Sequence, residues 1–135
     1  MRVVVDTNVL VSALLRPDSV PARAVAGLVA RRAVFLYDAR IVEEYRAVLA
    51  RPKFGAIGAE ARAGLLGALL GGPPVAHVPA WAGPLLDPDD RMFVEVALAG
   101  RADALVTGNL RDYPRDLGFE VLPPATLLAD LEAGR

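Results

Sequence analysis

Asp6 directly follows Val3–Val5, three β-branched residues that predict a fully buried strand. In an open α/β sheet, ligands bind beyond the carboxyl ends of the strands, so a carboxylate at this position is placed for chemistry. The alternative is that Asp6 caps the helix that follows, because acidic residues are common at helix N-termini. Other acids in comparable places favour the chemical role.

Two of these acids lie on predicted helices that have a buried face. Glu44 lies at the boundary of the apolar face of helix 39–50, where it could project toward a cleft or form a weak surface ion pair. Asp90 lies in line with Phe93 and Val94 on a helix that is apolar all round. A carboxylate that faces inward is costly unless it is paired or bound to a metal ion.

The same helix begins with other acids, which have a simpler explanation. We expect Asp87 and Asp89 to cap the helix and to complement its dipole. An N-terminal role of this kind is also the alternative for Asp90.

Polar residues follow a later predicted strand, 104–107. This strand ends in Thr107-Gly108-Asn109, and Asp112 comes three residues later. The glycine lets the backbone turn sharply, so these polar groups again lie at the carboxyl end of a strand.

Several carboxylates cannot remain ionised side by side without a cation between them. Oxygen ligands favour a hard divalent ion, so the pattern predicts a Mg²⁺ or Mn²⁺ site. Such an ion coordinates phosphate oxygens and activates water for attack on a phosphodiester. The predicted ligands are Asp6, Glu44, Asp90 and a group from Asn109 or Asp112.

The elements that must position these residues alternate between strand and helix. The predicted strands are 3–5, 34–37, 75–78, 104–107 and 120–122. The predicted helices are 8–15, 22–31, 39–50 (capped by Asp38), 60–70, a helix opened by 87–90 that runs to 100, and 124–133. This alternation predicts an α/β fold, a three-layer α/β/α arrangement with a central, mainly parallel sheet of four to five strands.

Composition limits the function further. The 135 residues are 54% hydrophobic, which excludes disorder and predicts a single domain over 1–135. The absence of cysteine excludes disulfides, thiolate catalysis and zinc–thiolate sites. No apolar run is long enough to span a membrane, and Met1–Val4 leads straight into a strand without a secretory signal, so we expect a cytoplasmic protein with no membrane partner.

A net charge of −1 argues against nucleic-acid binding by bulk electrostatics but allows an acidic site with a basic rim. The only histidine, His77, falls in a predicted strand without partners for nucleophilic catalysis, so we interpret it as structural. The cations that could contact phosphate, or simply be solvated, are Arg40, Arg46, Arg51, Lys53, Arg111 and Arg115.

Four segments of the chain carry a resemblance to a known family. They are Val5–Ala13, Glu43–Leu49, Asp87–Phe93 and Ala102–Asn109. In this order they resemble the PIN-domain family, a ribonuclease fold that includes the VapC-type toxins of toxin–antitoxin pairs, and the resemblance covers nearly the whole chain. It implies a metal-dependent endoribonuclease that acts on RNA, with an antitoxin protein as a partner and a homodimeric assembly.

Residue by residue, the resemblance places the acidic metal site of the family on Asp6, Glu44 and Asp90. Its fourth acidic position falls on Asn109, where an amide oxygen could bind a metal but adds no negative charge. We hypothesise that Asp112 supplies the missing carboxylate, or that a second metal ion binds weakly. Asp103, just before its strand, is assigned to structure.

Polar positions around the site of the family are also matched. They fall on Thr7, Asn8, Ser12 and Thr107, which would orient ligands or water. For Asn8 and Ser12, a structural role in helix capping or loop hydrogen bonds explains the residue as well as a role in the site does.

Two alternatives to a nuclease come from other functional classes. A degenerate domain that binds RNA or protein without cleavage is favoured by Asn109 and by the near-neutral charge. A phosphotransferase with Asp6 as phospho-acceptor is disfavoured, because Asn8 stands where a second acid would be needed and Lys53 follows a proline that ends a helix.

Overall fold

A four-stranded parallel sheet forms the centre of the fold in the computed structural model, which describes residues 1–134. Arg135, the last residue of the expected domain, lies outside the described residues. The strands are β1 (Arg2–Val5), β2 (Val34–Phe35), β3 (Ala104–Val106) and β4 (Glu120–Leu122), in the order β2-β1-β3-β4. All three pairings are parallel, which confirms the predicted α/β class.

Helices cover this sheet in the predicted three-layer arrangement. Their bounds are α1 (Thr7–Leu15), α2 (Val20–Ala30), α3 (Ala39–Leu49), α4 (Ala59–Leu69), α5 (Arg91–Ala99) and α6 (Pro124–Glu132). Short 3-10 turns lie at Pro52–Phe54, Pro88–Asp90 and Leu110–Asp112. None of the helices within residues 1–134 combines the length and the apolar character that crossing a bilayer requires.

Local sequence explains where the helices begin. Asp38 accepts hydrogen bonds from the backbone amides of Arg40 (3.0 Å) and Ile41 (3.2 Å), so it caps α3 as predicted. Ser19 caps α2 by accepting from the amide of Ala22 at 3.3 Å. Most observed helix ends differ from the predicted ones by one or two residues, which is the usual uncertainty of helix ends.

The predicted strand 75–78 does not form, and this is the largest error in the predicted elements. Val75 donates one hydrogen bond to the Tyr37 carbonyl (2.8 Å), and the segment is otherwise irregular. His77 has a φ of 53°, which a strand does not permit, so its interpretation as a strand residue is also wrong. Prolines lack the N–H that a strand ladder requires, and they surround the segment at Pro73, Pro74 and Pro79.

The core lies on both sides of β1, whose Val3–Val5 are fully buried. Helix α5 contacts β1 and β3, while α2 contacts both α1 and α6. Parallel pairing aligns Val5 with Val106, so β1 and β3 end at the same edge of the sheet. The residues that follow these two strands therefore meet there.

Candidate functional site

A cavity of about 370 Å³ lies at the carboxyl edge of the sheet. Its polar lining residues are Asp6, Thr7, Asn8, Ser12, Glu44, Arg51, Asp87, Asp90, Asn109 and Asp112. Larger cavities of about 390 to 710 Å³ lie elsewhere in residues 1–134, but each brings together at most one carboxylate. The carboxylates, not the volume, therefore distinguish this cavity, which we call the acidic pocket.

Asp6 is the most buried acid of the pocket, with 5% of its surface exposed. Thr107 Oγ1 and Tyr113 Oη each donate a hydrogen bond of 2.8 Å to its Oδ2 atom. Burial raises the pKa of Asp6, and these two donors oppose that rise. Asp6 occupies the N-cap position of α1, but its side chain makes no capping hydrogen bond.

Tyr113 is a site residue that the sequence analysis missed. Burial and the charge of Asp6 raise the pKa of the Tyr113 hydroxyl, so the hydroxyl stays protonated and acts as a donor. The residue follows the 3-10 turn Leu110–Asp112 and has no periodic pattern around it. Only its position shortly after Thr107-Gly108-Asn109 could have drawn attention to it.

Glu44 reaches the pocket from α3 and is half-buried, as its place at the edge of the apolar face predicts. Its Oε2 atom accepts a hydrogen bond of 3.3 Å from Thr7 Oγ1. The next residue, Tyr45, is buried and donates its hydroxyl to the carbonyl of Val5. This bond joins α3 to the end of β1 and so places Glu44 beside Asp6.

Asp90 lies at the end of the 3-10 turn Pro88–Asp90, directly before α5, and is half-buried. Its pKa is raised to about 7, first by burial and then by the charges of neighbouring carboxylates. Those carboxylates belong to Asp6, Asp87, Asp112 and Glu44. All five acids line the same pocket, so the charges of the other four oppose the ionisation of Asp90.

The acids around Asp90 have different roles from those expected. Asp87 accepts a hydrogen bond of 2.9 Å from the amide of Asp89, so it caps the 3-10 turn and not α5 itself. Asp89 is exposed and makes no capping bond, so its predicted capping role is wrong. Asp103 accepts from the backbone amide of Arg2 at 2.7 Å, which agrees with its structural assignment.

The loop after β3 brings Asn109 and Asp112 to the pocket. The amide of Asn109 donates to Thr107 Oγ1 at 3.0 Å, which holds this loop next to Asp6. Asn8 Oδ1 accepts from the amide of Gly108 at 3.0 Å, so Asn8 has the loop-binding role that was one of its two explanations. Ser12 lies exposed on the rim, one helical turn beyond Asn8.

Among residues 1–134, five carboxyl groups and one guanidinium, that of Arg51, line the pocket. The atoms of these carboxyl groups that could coordinate a metal ion are all oxygens, which suits a hard divalent ion. Within residues 1–134, however, no three Asp, Glu or His side chains are already arranged to hold a metal ion.

The predicted phosphate-contacting cations divide into two groups. Arg51 lines the pocket. Arg40 instead forms ion pairs of 2.7 Å with both Glu95 and Asp38, so it is engaged away from the pocket. The others, Arg46, Lys53, Arg111 and Arg115, do not line the pocket.

Comparison with known protein families gives one match. A family model described as PIN domain matches residues 2–111, which include every predicted site residue except Asp112. Searches of curated proteins and of solved structures returned no significant match. Proteins with this domain are in general nucleases and typically use divalent metal ions. The extent of the match shows that this chain belongs to the PIN-domain family.

Proposed function

We propose that this protein is a Mg²⁺- or Mn²⁺-dependent endoribonuclease that hydrolyses RNA phosphodiester bonds at the acidic pocket. The observation that carries the proposal is the collection of five carboxyl groups, from separate segments, around one cavity at the carboxyl edge of the sheet. Family membership supports a nucleic-acid substrate. The choice of RNA rests on the resemblance to toxin-type ribonucleases.

Asp6, Glu44 and Asp90 would hold the metal ion, with Asn109 or Asp112 as a further ligand. A divalent ion bound there supplies positive charge for the phosphate oxygens and lowers the pKa of water. Thr107 and Tyr113 orient the Asp6 carboxylate by donating to one of its oxygens.

The central test is the substitution Asp6→Asn. We expect the wild-type protein to cleave single-stranded RNA with Mg²⁺ or Mn²⁺, and Asp6→Asn to abolish cleavage while circular dichroism shows an intact fold. Asp89→Asn is the matched control, because Asp89 is an exposed acid outside the pocket. Undiminished cleavage by Asp6→Asn would contradict the proposal.

The role of Asp112 requires its own test, because the family pattern does not include it. If Asp112 replaces the carboxylate that Asn109 lacks, Asp112→Ala should weaken Mn²⁺ binding and slow cleavage. Near-normal metal affinity and cleavage would remove this option and leave Asn109 as the further ligand.

A binding domain without cleavage is the second candidate function. Two observations favour it, Asn109 at the acidic position of the family and the absence, within residues 1–134, of a ready group of three ligating side chains. Calorimetric titration separates the two functions, because failure to bind Mn²⁺ at millimolar concentration would favour the binding domain.

We also propose a cytoplasmic location, and from the resemblance a toxin-like protein that forms a homodimer and has an antitoxin partner. The whole chain, 1–135, is proposed to be a single domain. Light scattering of the purified protein tests the dimer, and a monomer at micromolar concentration would contradict it.

A further inference from the structure

The wall of the acidic pocket contains one segment whose chemistry differs from the rest. Arg51 is the only cation among the described lining residues, and Phe54 is the only aromatic one. Both belong to the four-residue sequence Arg51-Pro52-Lys53-Phe54, which follows the C-cap residue of α3, Ala50. We call residues 51–54 the cationic–aromatic turn.

The backbone of this turn is well fixed. The amide of Phe54 donates to the Arg51 carbonyl at 2.9 Å, and the amide of Ile57 donates to the Phe54 carbonyl at 3.1 Å. Pro52 restricts the backbone further, because its ring fixes φ. The side chains of Arg51 and Phe54 are therefore presented from a rigid support.

A second arginine stabilises the backbone of the turn through hydrogen bonds. The guanidinium of Arg62, on α4, donates to the carbonyls of Leu49, Phe54 and Ile57. These carbonyls belong to the last turn of α3 and to the segment that follows it. Because α3 also carries Glu44, Arg62 fixes the turn relative to the acids of the pocket.

The side chains of the turn remain accessible to a ligand. Phe54 is only half-buried, although it is a large apolar residue, and Arg51 is exposed. The ammonium of Lys53 lies 5.1 Å from the centroid of the Phe54 ring. Lys53 is exposed, so this cation–π contact is weak and leaves the ring available for stacking.

An aromatic ring beside a guanidinium is a combination of groups that binds single-stranded nucleic acid. Unstacked bases bind aromatic side chains, while the backbone phosphates bind cations. In a duplex the bases are stacked on one another and cannot reach such a ring. A turn of this composition would therefore be expected to discriminate by strandedness and not by sequence.

We propose that the cationic–aromatic turn is a binding subsite for single-stranded nucleic acid, in which Phe54 stacks on a base next to the scissile phosphodiester and Arg51 binds a backbone phosphate. Arg62 is a positioning residue for this subsite. The inference rests on the proposed nuclease function for the identity of the scissile bond, but the binding that it describes can be measured without cleavage.

The test measures binding of fluorescent single-stranded and duplex RNA by anisotropy, with Mg²⁺ present and the Asp6→Asn protein as the parent to prevent cleavage. We expect Phe54→Ala to weaken single-strand binding about tenfold, since one stacked base contributes that much. Phe54→Leu should be as weak, because it keeps the apolar volume but not the ring, and Phe54→Trp should restore binding. Duplex binding should not change.

Arg51 is tested by the salt dependence of the same binding. Arg51→Gln should reduce the slope of log affinity against log salt by about one, as expected for the loss of one phosphate contact. Arg46→Gln, an exposed arginine that lies on α3 outside the pocket, should leave the slope unchanged.

Several outcomes would overturn the inference. They are no single-strand binding by the parent protein, equal affinity of Phe54→Ala and parent, and a weakening of duplex binding equal to that of single strands. Recovery of binding in Phe54→Leu would also overturn it, because apolar volume alone would then be sufficient. If the ring dependence is observed but the wild-type protein cleaves no RNA, the subsite is supported and the proposed nuclease function fails.

Discussion

Asp6 and Asp90 line the same pocket but have opposite surroundings. Burial raises the pKa of both acids, but at Asp6 two hydroxyl donors oppose the rise, whereas at Asp90 the charges of neighbouring carboxylates add to it. A neutral donor lowers the free energy of a carboxylate without adding charge, while a neighbouring carboxylate raises it. The pocket therefore contains one acid whose ionised form is partly stabilised by hydroxyl donors and one whose ionisation is opposed by both burial and neighbouring charges.

The raised pKa of Asp90 predicts how the stability of the metal-free protein depends on pH. In the folded state Asp90 keeps its proton up to about pH 7, whereas the unfolded chain releases it near 3.8. Between these values the folded state binds more protons, so the free energy of unfolding falls as pH rises. The contribution is complete below about pH 4 and is lost above about pH 7.

We therefore expect Asp90→Asn to be more stable than wild type at about pH 8 in EDTA, by about 1–2 kcal/mol after allowance for solvent screening of a half-exposed group. The difference should shrink toward about pH 5, where the wild-type side chain is protonated as well. Urea unfolding at both pH values measures it. A difference that does not depend on pH would contradict the electrostatic explanation.

Tyr113→Phe tests whether orientation of Asp6 matters for metal binding. The substitution removes the hydroxyl that donates to Asp6 Oδ2 at 2.8 Å and keeps the ring. Loss of a partner that orients a metal ligand should weaken Mn²⁺ binding about tenfold, as measured by calorimetry. Tyr37→Phe is the matched control, because that hydroxyl donates to the Gly72 carbonyl away from the pocket. Equal affinities of the two variants would show that Tyr113 has no orienting role.

At the scale of elements, parallel pairing decides which side chains meet. Because β1 and β3 run in the same direction and are adjacent, Asp6 and Thr107 lie at one edge of the sheet. Helices α3 and α5 then bring Glu44 and Asp90 to that edge from segments far apart in the chain. Each segment contributes one or two of the carboxyl groups of the pocket, so no single element contains the candidate site.

Arg62 connects three segments at this scale, α3, the turn after it and α4. Arg62→Met should lower the free energy of unfolding by about 2 kcal/mol, because it leaves the carbonyls of Leu49 and Phe54 without their donor. It should also weaken single-strand binding to about the level of Phe54→Ala. Arg46→Met on α3 is the control for the loss of an arginine, and urea unfolding with anisotropy provides both measurements.

The two effects of Arg62→Met separate positioning from general stability. If Arg62 acts by fixing the turn, binding is weakened under conditions where the variant is fully folded. A destabilised variant with unchanged single-strand affinity would show that the turn does not depend on Arg62.

At the scale of the whole molecule, the proposed metal site predicts that stability depends on divalent ions, because they would offset the excess of carboxylates in the pocket. An ion that binds only the folded state at one hundred times its Kd stabilises by about 2.7 kcal/mol. For a chain of this size we expect the Tm to rise by about 5–10 °C on addition of Mn²⁺.

The same thermal unfolding experiment tests the proposed single domain. Unfolding should occur in one cooperative transition with and without Mn²⁺. Asp6→Asn should abolish the rise in Tm, and Asp89→Asn should retain it. Two separate transitions would contradict a single domain, and an unchanged Tm in the wild type would argue against a metal site.

Much of the fold could be predicted from local sequence patterns. Val3–Val5 predicted a buried strand, and the apolar face of 39–50 predicted a helix with Glu44 at its boundary, because periodicity records which side of an element is buried. The strand predicted at 75–78 did not form. The alternation of strand and helix patterns predicted this strand. The prolines around it leave too few backbone N–H donors to extend the sheet beyond β2, which that alternation does not reveal.

The sequence by itself determined that carboxylates follow a strand at Asp6, lie at the edge of the apolar face of a helix at Glu44 and begin a helix at Asp90, and that no thiol or paired histidine offers other chemistry. The tertiary structure decided that Tyr113 binds Asp6, that Arg51 and Phe54 form a wall of the same pocket, and that Asp90 is driven toward neutrality. Helix and strand periodicity depends on near neighbours in the chain, so it can be recognised locally. Hydrogen bonds and electrostatic interactions between residues about one hundred positions apart exist only once the chain has folded.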